Sequence, residues 1–227
     1  MHVLILVVIL VLLIIGPQYW VRAVLNRYNR KSEENFTGTG GELARHLLDR
    51  FALQHVKVEV TGSGDHYDPL AKVVRLGEDR FIGRTLTAIT IAAHEVGHAI
   101  QDASGESLFR WRTRLAKLTG TAQQLGSLLL FLVPLLSVIT RAPAVGLISL
   151  LAAFLVMGIG LAVQLLTLPV ELDASFNKAL PMLESGYLQP QQFRPARKIL
   201  RAAAFTYVSS SLAGLLNFWR WMTVFKR

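Results

Sequence analysis

The 227-residue chain contains no cysteine. That excludes a disulfide framework, a thiol nucleophile and a thiolate metal site. Charge is also scarce: Asp, Glu, Lys and Arg together make up 17%, against about 25% in a typical soluble domain. The shortage falls on the acids, with 15 acidic residues against 24 basic ones. Apolar residues make up 52% and the mean hydropathy is +0.41, a composition that excludes a disordered chain. The net charge of +9 comes without a recognisable nucleic-acid-binding motif. In so apolar a chain the basic excess reads as membrane topology, and no nucleic-acid partner is expected.

Residues 2–21 are almost wholly apolar, long enough at 1.5 Å per residue for the ~30 Å hydrocarbon core. They lack the basic start and small-residue cleavage site of a signal peptide, so a retained N-terminal anchor over 1–21 is predicted. Residues 22–123 form a polar, mixed segment, and 124–168 form a transmembrane hairpin built from apolar runs at 125–139 and 144–168. Residues 169–201 form a second polar segment, and 202–227 a last apolar helix. Both polar segments are basic, which predicts that they lie in the cytoplasm. The expected architecture is a mainly α-helical integral membrane protein with about four transmembrane helices and a small β-hairpin. The expected location is a bacterial inner (plasma) membrane, with the active site on the cytoplasmic side.

Within the first polar segment, residues 42–53 carry one apolar stripe and predict a helix. Residues 56–60 alternate and are β-branched, and 72–76 are similar, so both predict strands, with 62–69 as the loop between them. Residues 85–103 predict a long helix that stops at Ser104-Gly105. A further helix follows, with Leu108, Trp111, Leu115 and Leu118 as its apolar side.

The strongest chemical signal is His94-Glu-Val-Gly-His98. Spacing of i, i+4 on a helix puts both imidazoles on one face, where they can bind one tetrahedral Zn²⁺. Glu95 then stands beside the metal and can take a proton from its water, which is nucleophilic near neutral pH, so the chemistry is hydrolysis. The pattern lies within a helix of apolar periodicity, where three polar side chains are costly unless partnered.

A catalytic zinc needs a third protein ligand. His2, His46, His55 and His66 are the remaining histidines, and carboxylates offer the better candidates. Glu171 and Asp173 stand at the end of the third apolar run, where an unpaired acid is expensive. Glu171 is the predicted ligand. Asp173 is either the alternate ligand or a partner for the other nitrogen of a ligand histidine. A third cluster, Asp65-His66-Tyr67-Asp68-Pro69, has two readings. His66 or Tyr67 could stabilise an oxyanion or assist proton transfer, or the acids serve turn formation.

Three blocks together, Asp65 to Pro69, Ala92 to Gln101 and Leu168 to Ser175, resemble the YugP-like membrane zinc metallopeptidases over nearly the whole chain. That family is distantly similar to the HtpX and CAAX-prenyl-protease type of gluzincin. The resemblance implies His94, His98 and Glu171 as ligands to one Zn²⁺ per chain, and Glu95 as catalytic base. It implies peptide or protein substrates, membrane proteins among them, with the lipid bilayer as surroundings. In HtpX-like proteins an Asp follows the ligand Glu by four positions. Here that position is Ser175, and the nearby acid is Asp173. The analogy also implies that the strand at 71–76, with Lys72, Val73 and Val74, receives substrate as an added β-strand. The rival expectation is a membrane protein with a structural or regulatory zinc site and no turnover.

Overall fold

The computed structural model describes residues 2–29, 36–117 and 143–216. In chain order these form α1 (His2–Asn29), α2 (Gly40–Arg50), β1 (Lys57–Thr61), β2 (His66–Asp68), β3 (Val73–Gly77), α3 (Glu78–Phe81) and α4 (Leu86–Ala103). A helix over residues 107–117, α5, follows. Then come α6 (Pro143–Asp173), a π-helical turn (Ala174–Ala179), α7 (Leu180–Glu184), α8 (Phe193–Ala204) and α9 (Thr206–Leu216). The chain is mostly helical with a small sheet, and divides into two compact units. One is drawn from Met1–Gln18, Trp111–Thr167 and Tyr207–Arg227, the other from Tyr19–Arg110 and Leu168–Thr206.

The expectation of about four transmembrane helices is corrected. Among the described residues no helix is long and apolar enough to cross a membrane. Spanning takes about 20 consecutive, mostly apolar residues. In α1 the described side chains begin at Leu12, and Arg22 and Arg27 stand among them. Helix α9 has 11 residues. The apolar run at 125–139, and residues 217–227 of the predicted last span, lie outside the described residues.

Apart from His2, the second unit holds all the residues singled out above for chemistry. Helix α2 starts at a capping box: Thr39 Oγ1 accepts from Glu42 N at 3.2 Å, and Glu42 Oε2 accepts from Thr39 N at 2.7 Å. Two orphan backbone donors are satisfied reciprocally. Helix α4 is capped by Thr85, whose Oγ1 accepts from Ala88 N at 3.1 Å. It ends where predicted, and the reason is geometric. Gly105 takes φ +64°, and the amides of Gly105 and Glu106 return to the carbonyls of Asp102 and Gln101 at 3.0 and 3.1 Å. That double closure is a Schellman motif, which favours glycine at its left-handed position.

The sheet has three strands in the order β1-β3-β2. Strand β3 pairs parallel with β1 and antiparallel with β2. The stretch at 62–69, expected to be loop throughout, contributes β2, so the hairpin is β2–β3. Its turn is built by Asp68, whose Oδ1 accepts from Leu70 N and Ala71 N at 2.9 and 3.1 Å. The substrate-strand expectation for Lys72, Val73 and Val74 is corrected with it. Val73 pairs with both Lys57 and Asp68, and Val74 with both Val58 and Tyr67. An added strand finds no open edge there.

The core of this unit is continuous. Leu43, Leu47 and Leu48 of α2, Val74 and Leu76 of β3, Ile89, Ala92 and Val96 of α4, and Ile199 and Leu200 of α8 are all buried in it. The inward residue at the start of α5 is Phe109, while Leu108 and Trp111 are exposed. Leu115, on the same expected face, is half-buried, and Leu118 lies outside the described residues.

Candidate metal centre

Helix α4 is almost wholly buried, and His94, Glu95 and His98 are buried with it. The two imidazoles sit one turn apart, with ring centroids 4.7 Å from each other and planes at 75°. Opposite them, the last turn of α6 delivers Glu171. Its Oε2 lies 3.4 Å from His94 Nε2 and 3.1 Å from His98 Nε2. All three residues are only 2% exposed. One ligand atom from each lies within 4.8 Å of the others, and the three form a group able to hold a metal ion.

The close approach of the two segments depends on Gly97, the small residue between the histidines. A Cβ at that position would lie 2.8 Å from the carbonyl oxygen of Ala174. That atom is backbone and cannot swing aside, so glycine is what lets α4 meet the π-helical turn.

Each histidine is held from behind. His98 Nδ1 meets Gln101 Oε1 at 2.9 Å. Gln101 Nε2 donates to Val170 O at 3.0 Å and to Asp173 Oδ2 at 2.8 Å. His94 Nδ1 meets Ser175 Oγ at 3.1 Å, and that hydroxyl donates to Leu200 O at 3.1 Å. Asp173 also accepts from Asn177 and Lys178, both at 2.7 Å. Burial works to raise its pKa, but the hydrogen bonds from Lys178, Asn177 and Gln101 outweigh it and hold the carboxyl below the usual range. Lys178 reaches Glu106 at 2.9 Å as well as Asp173, and these two partners outweigh burial and raise its pKa.

The donor set fits zinc. Two imidazole nitrogens and one carboxylate oxygen, with a fourth position left for water or substrate, is a ligand pattern of catalytic zinc sites. Three buried ionisable groups facing one another are costly unless they are paired or bound to a metal. Of the two acids left open by the sequence, Glu171 faces the imidazoles directly and Asp173 reaches His98 only through Gln101. Gln101 and Ser175 escaped the sequence reading. Gln101 carried a usable signal, since it lies three residues past His98 on the same helix face.

The Asp65–Asp68 cluster is built differently. Asp65 Oδ1 accepts from Gly77 N at 2.7 Å, and His66 Nδ1 meets Gly64 O at 2.8 Å. Tyr67 donates its hydroxyl to Asp102 at 2.7 Å. Burial and then the Asp102 carboxylate push the phenol's pKa up. Asp68 is bridged by Arg75 at 2.8 Å. The Ala71 amide, with Arg75 and Leu70, holds its carboxyl low despite burial. Each of these four side chains is engaged by the hairpin and its neighbours.

No solved structure matches this chain. A curated relative described as "Putative membrane protease YugP", from Bacillus subtilis (strain 168), is 34% identical over 217 residues. The match covers 93% of this chain and 92% of that relative. The family described as "Putative neutral zinc metallopeptidase" matches residues 3–226, and the chain belongs to it.

Proposed function

We propose that this protein is a zinc-dependent peptidase that holds one Zn²⁺ per chain on His94, His98 and Glu171. The observation that carries the reading is the convergence of both Nε2 atoms on one buried carboxylate oxygen. Zinc, when bound, supplies Lewis acidity and lowers the pKa of a coordinated water to about 7. The chain's own part is positioning and proton transfer. Glu95, buried next to His94, serves as general base and returns the proton to the leaving amine of the cleaved peptide. The sheet edge beside α4 is β2, since β3 is central. An extended peptide substrate docks there by backbone pairing, the general mode by which peptides extend a sheet.

The lipid bilayer is proposed as a partner on two grounds: the relative is named a membrane protease, and α6 exposes Ile148, Leu151, Leu155, Ile159, Leu165 and Leu166. Exposed apolar area of this extent marks a contact surface for apolar partners.

Glu95→Gln separates an enzyme from a structural or regulatory zinc site. Full zinc content with loss of peptide-bond cleavage is the expected result. Unchanged cleavage by the zinc-loaded variant would overturn the assignment of the base.

A further inference from the structure

A metal-binding imidazole must present a lone pair to the ion, and its other nitrogen's hydrogen bond decides which nitrogen that is. Here the surrounding chemistry fixes the answer for both rings. Gln101 Nε2 lies against two pure acceptors, the Val170 carbonyl and the Asp173 carboxylate. The flipped amide would aim oxygen at oxygen twice. Gln101 therefore turns its Oε1 to His98, and His98 Nδ1 must carry the proton. Ser175 has one hydroxyl proton and gives it to Leu200 O. Its oxygen is then the acceptor for His94 Nδ1–H. Both Nε2 atoms are left on the Glu171 side, where an ion would take their lone pairs.

We infer that Gln101 and Ser175 are positioning residues that lock His98 and His94 in the Nδ1–H tautomer, with Asp173 and Lys178 holding the Gln101 amide in its working orientation. The π-helical turn serves this arrangement. It has more residues per turn than an α-helix, which sets Lys178 over Asp173 five positions earlier, at 2.7 Å. Lys178 also holds Glu106 at 2.9 Å, tying the chain after α4 to the same carboxylate. The inference rests on the zinc reading: with an ion in place Nε2 holds no proton, whereas without one the Glu171 carboxylate, 3.1 Å from His98 Nε2, competes to draw a proton there.

The test is ¹⁵N imidazole NMR on the zinc-loaded full chain, reading which ring nitrogen is protonated and how fast that proton exchanges, with zinc affinity measured by chelator competition. In the wild type both rings should hold a slowly exchanging proton on Nδ1; an Nδ1 without a proton in either ring overturns the inference. Gln101→Met should speed exchange of the His98 Nδ1 proton, leave His94 unchanged and weaken zinc binding about 10–100-fold. Ser175→Ala should do the same to His94 alone. Asp173→Asn keeps an acceptor for Gln101 and should leave the wild-type exchange in place. A folded Gln101→Met protein with unaltered exchange at His98 and unaltered zinc affinity would overturn the inference. A wild type that takes up no zinc would defeat the peptidase reading and this inference with it.

Discussion

Two polar clusters flank helix α4, and their parts list is almost the same. One is the hairpin cluster of Asp65, His66, Tyr67 and Asp68; the other is the group formed by His94, His98, Glu171 and Asp173. In the hairpin most bonds are local or go to a neighbouring strand: Asp68 to Leu70, Ala71 and Arg75, His66 to Gly64. In the metal centre the bonds join α4 to the end of α6 and to the π-helical turn, between residues about seventy to eighty positions apart in the chain. Local bonds are how acids serve turns. Side chains drawn from distant segments and aimed at one point need another reason, and a shared ion supplies it. Residue type does not separate a functional cluster from a structural one. The direction in which the donors and acceptors point does.

The sharpest way to separate the two clusters is zinc itself. A ligand that binds only the folded state at 1,000 times its Kd adds about 4 kcal/mol. For a chain of this size that is roughly 8–16 °C in Tm. Thermal scans with and without zinc should show this shift in the wild type and in Asp68→Ala, and no shift in His98→Ala.

Gly97→Ala tests how the metal centre is assembled. The added methyl group meets the Ala174 carbonyl, and overpacking of this kind costs about 1–3 kcal/mol. Denaturant unfolding should read that loss, and zinc affinity should fall with it because α4 and the Glu171 segment are forced apart. An alanine variant as stable as wild type would show that the approach is not tight.

Tyr67→Phe tests the hairpin side. It removes one hydrogen bond to Asp102, worth about 1 kcal/mol, and should leave zinc content and cleavage unchanged. Lost cleavage in a folded, zinc-loaded Tyr67→Phe would move Tyr67 into the reaction.

The smallest effect is the acid dependence of Asp68. Its folded pKa lies below the ordinary value, so its stabilisation is present above about pH 3.9 and is lost as pH falls through the lower folded value. Asp68→Asn should flatten the fall of stability below about pH 4, by less than about 1 kcal/mol for a half-buried pair still open to solvent. It should change nothing in the slope above pH 5.

The two regions were unequally legible. The His94–His98 spacing marks its helix face by itself, and the stop at Ser104-Gly105 is local chemistry, so both could be read from the residues. Glu171 stood out because an acid at the end of an apolar run is expensive. The order β1-β3-β2 was not legible, since a three-residue strand in a polar stretch carries no alternation to read. Ser175 looked like a departure from a family pattern, and its bond to His94 depends on a helix eighty residues away. The apolar runs predicted membrane spans from composition, whereas no helix among the described residues is long and apolar enough for one.

The central claim is tested most directly by zinc content, measured by mass spectrometry on the purified full chain supplied with saturating zinc, as wild type, Glu171→Ala and Asp173→Ala. One zinc per chain in the wild type and in Asp173→Ala, with none in Glu171→Ala, is the result the account requires. Zinc retained by Glu171→Ala, or lost from Asp173→Ala alone, would contradict it.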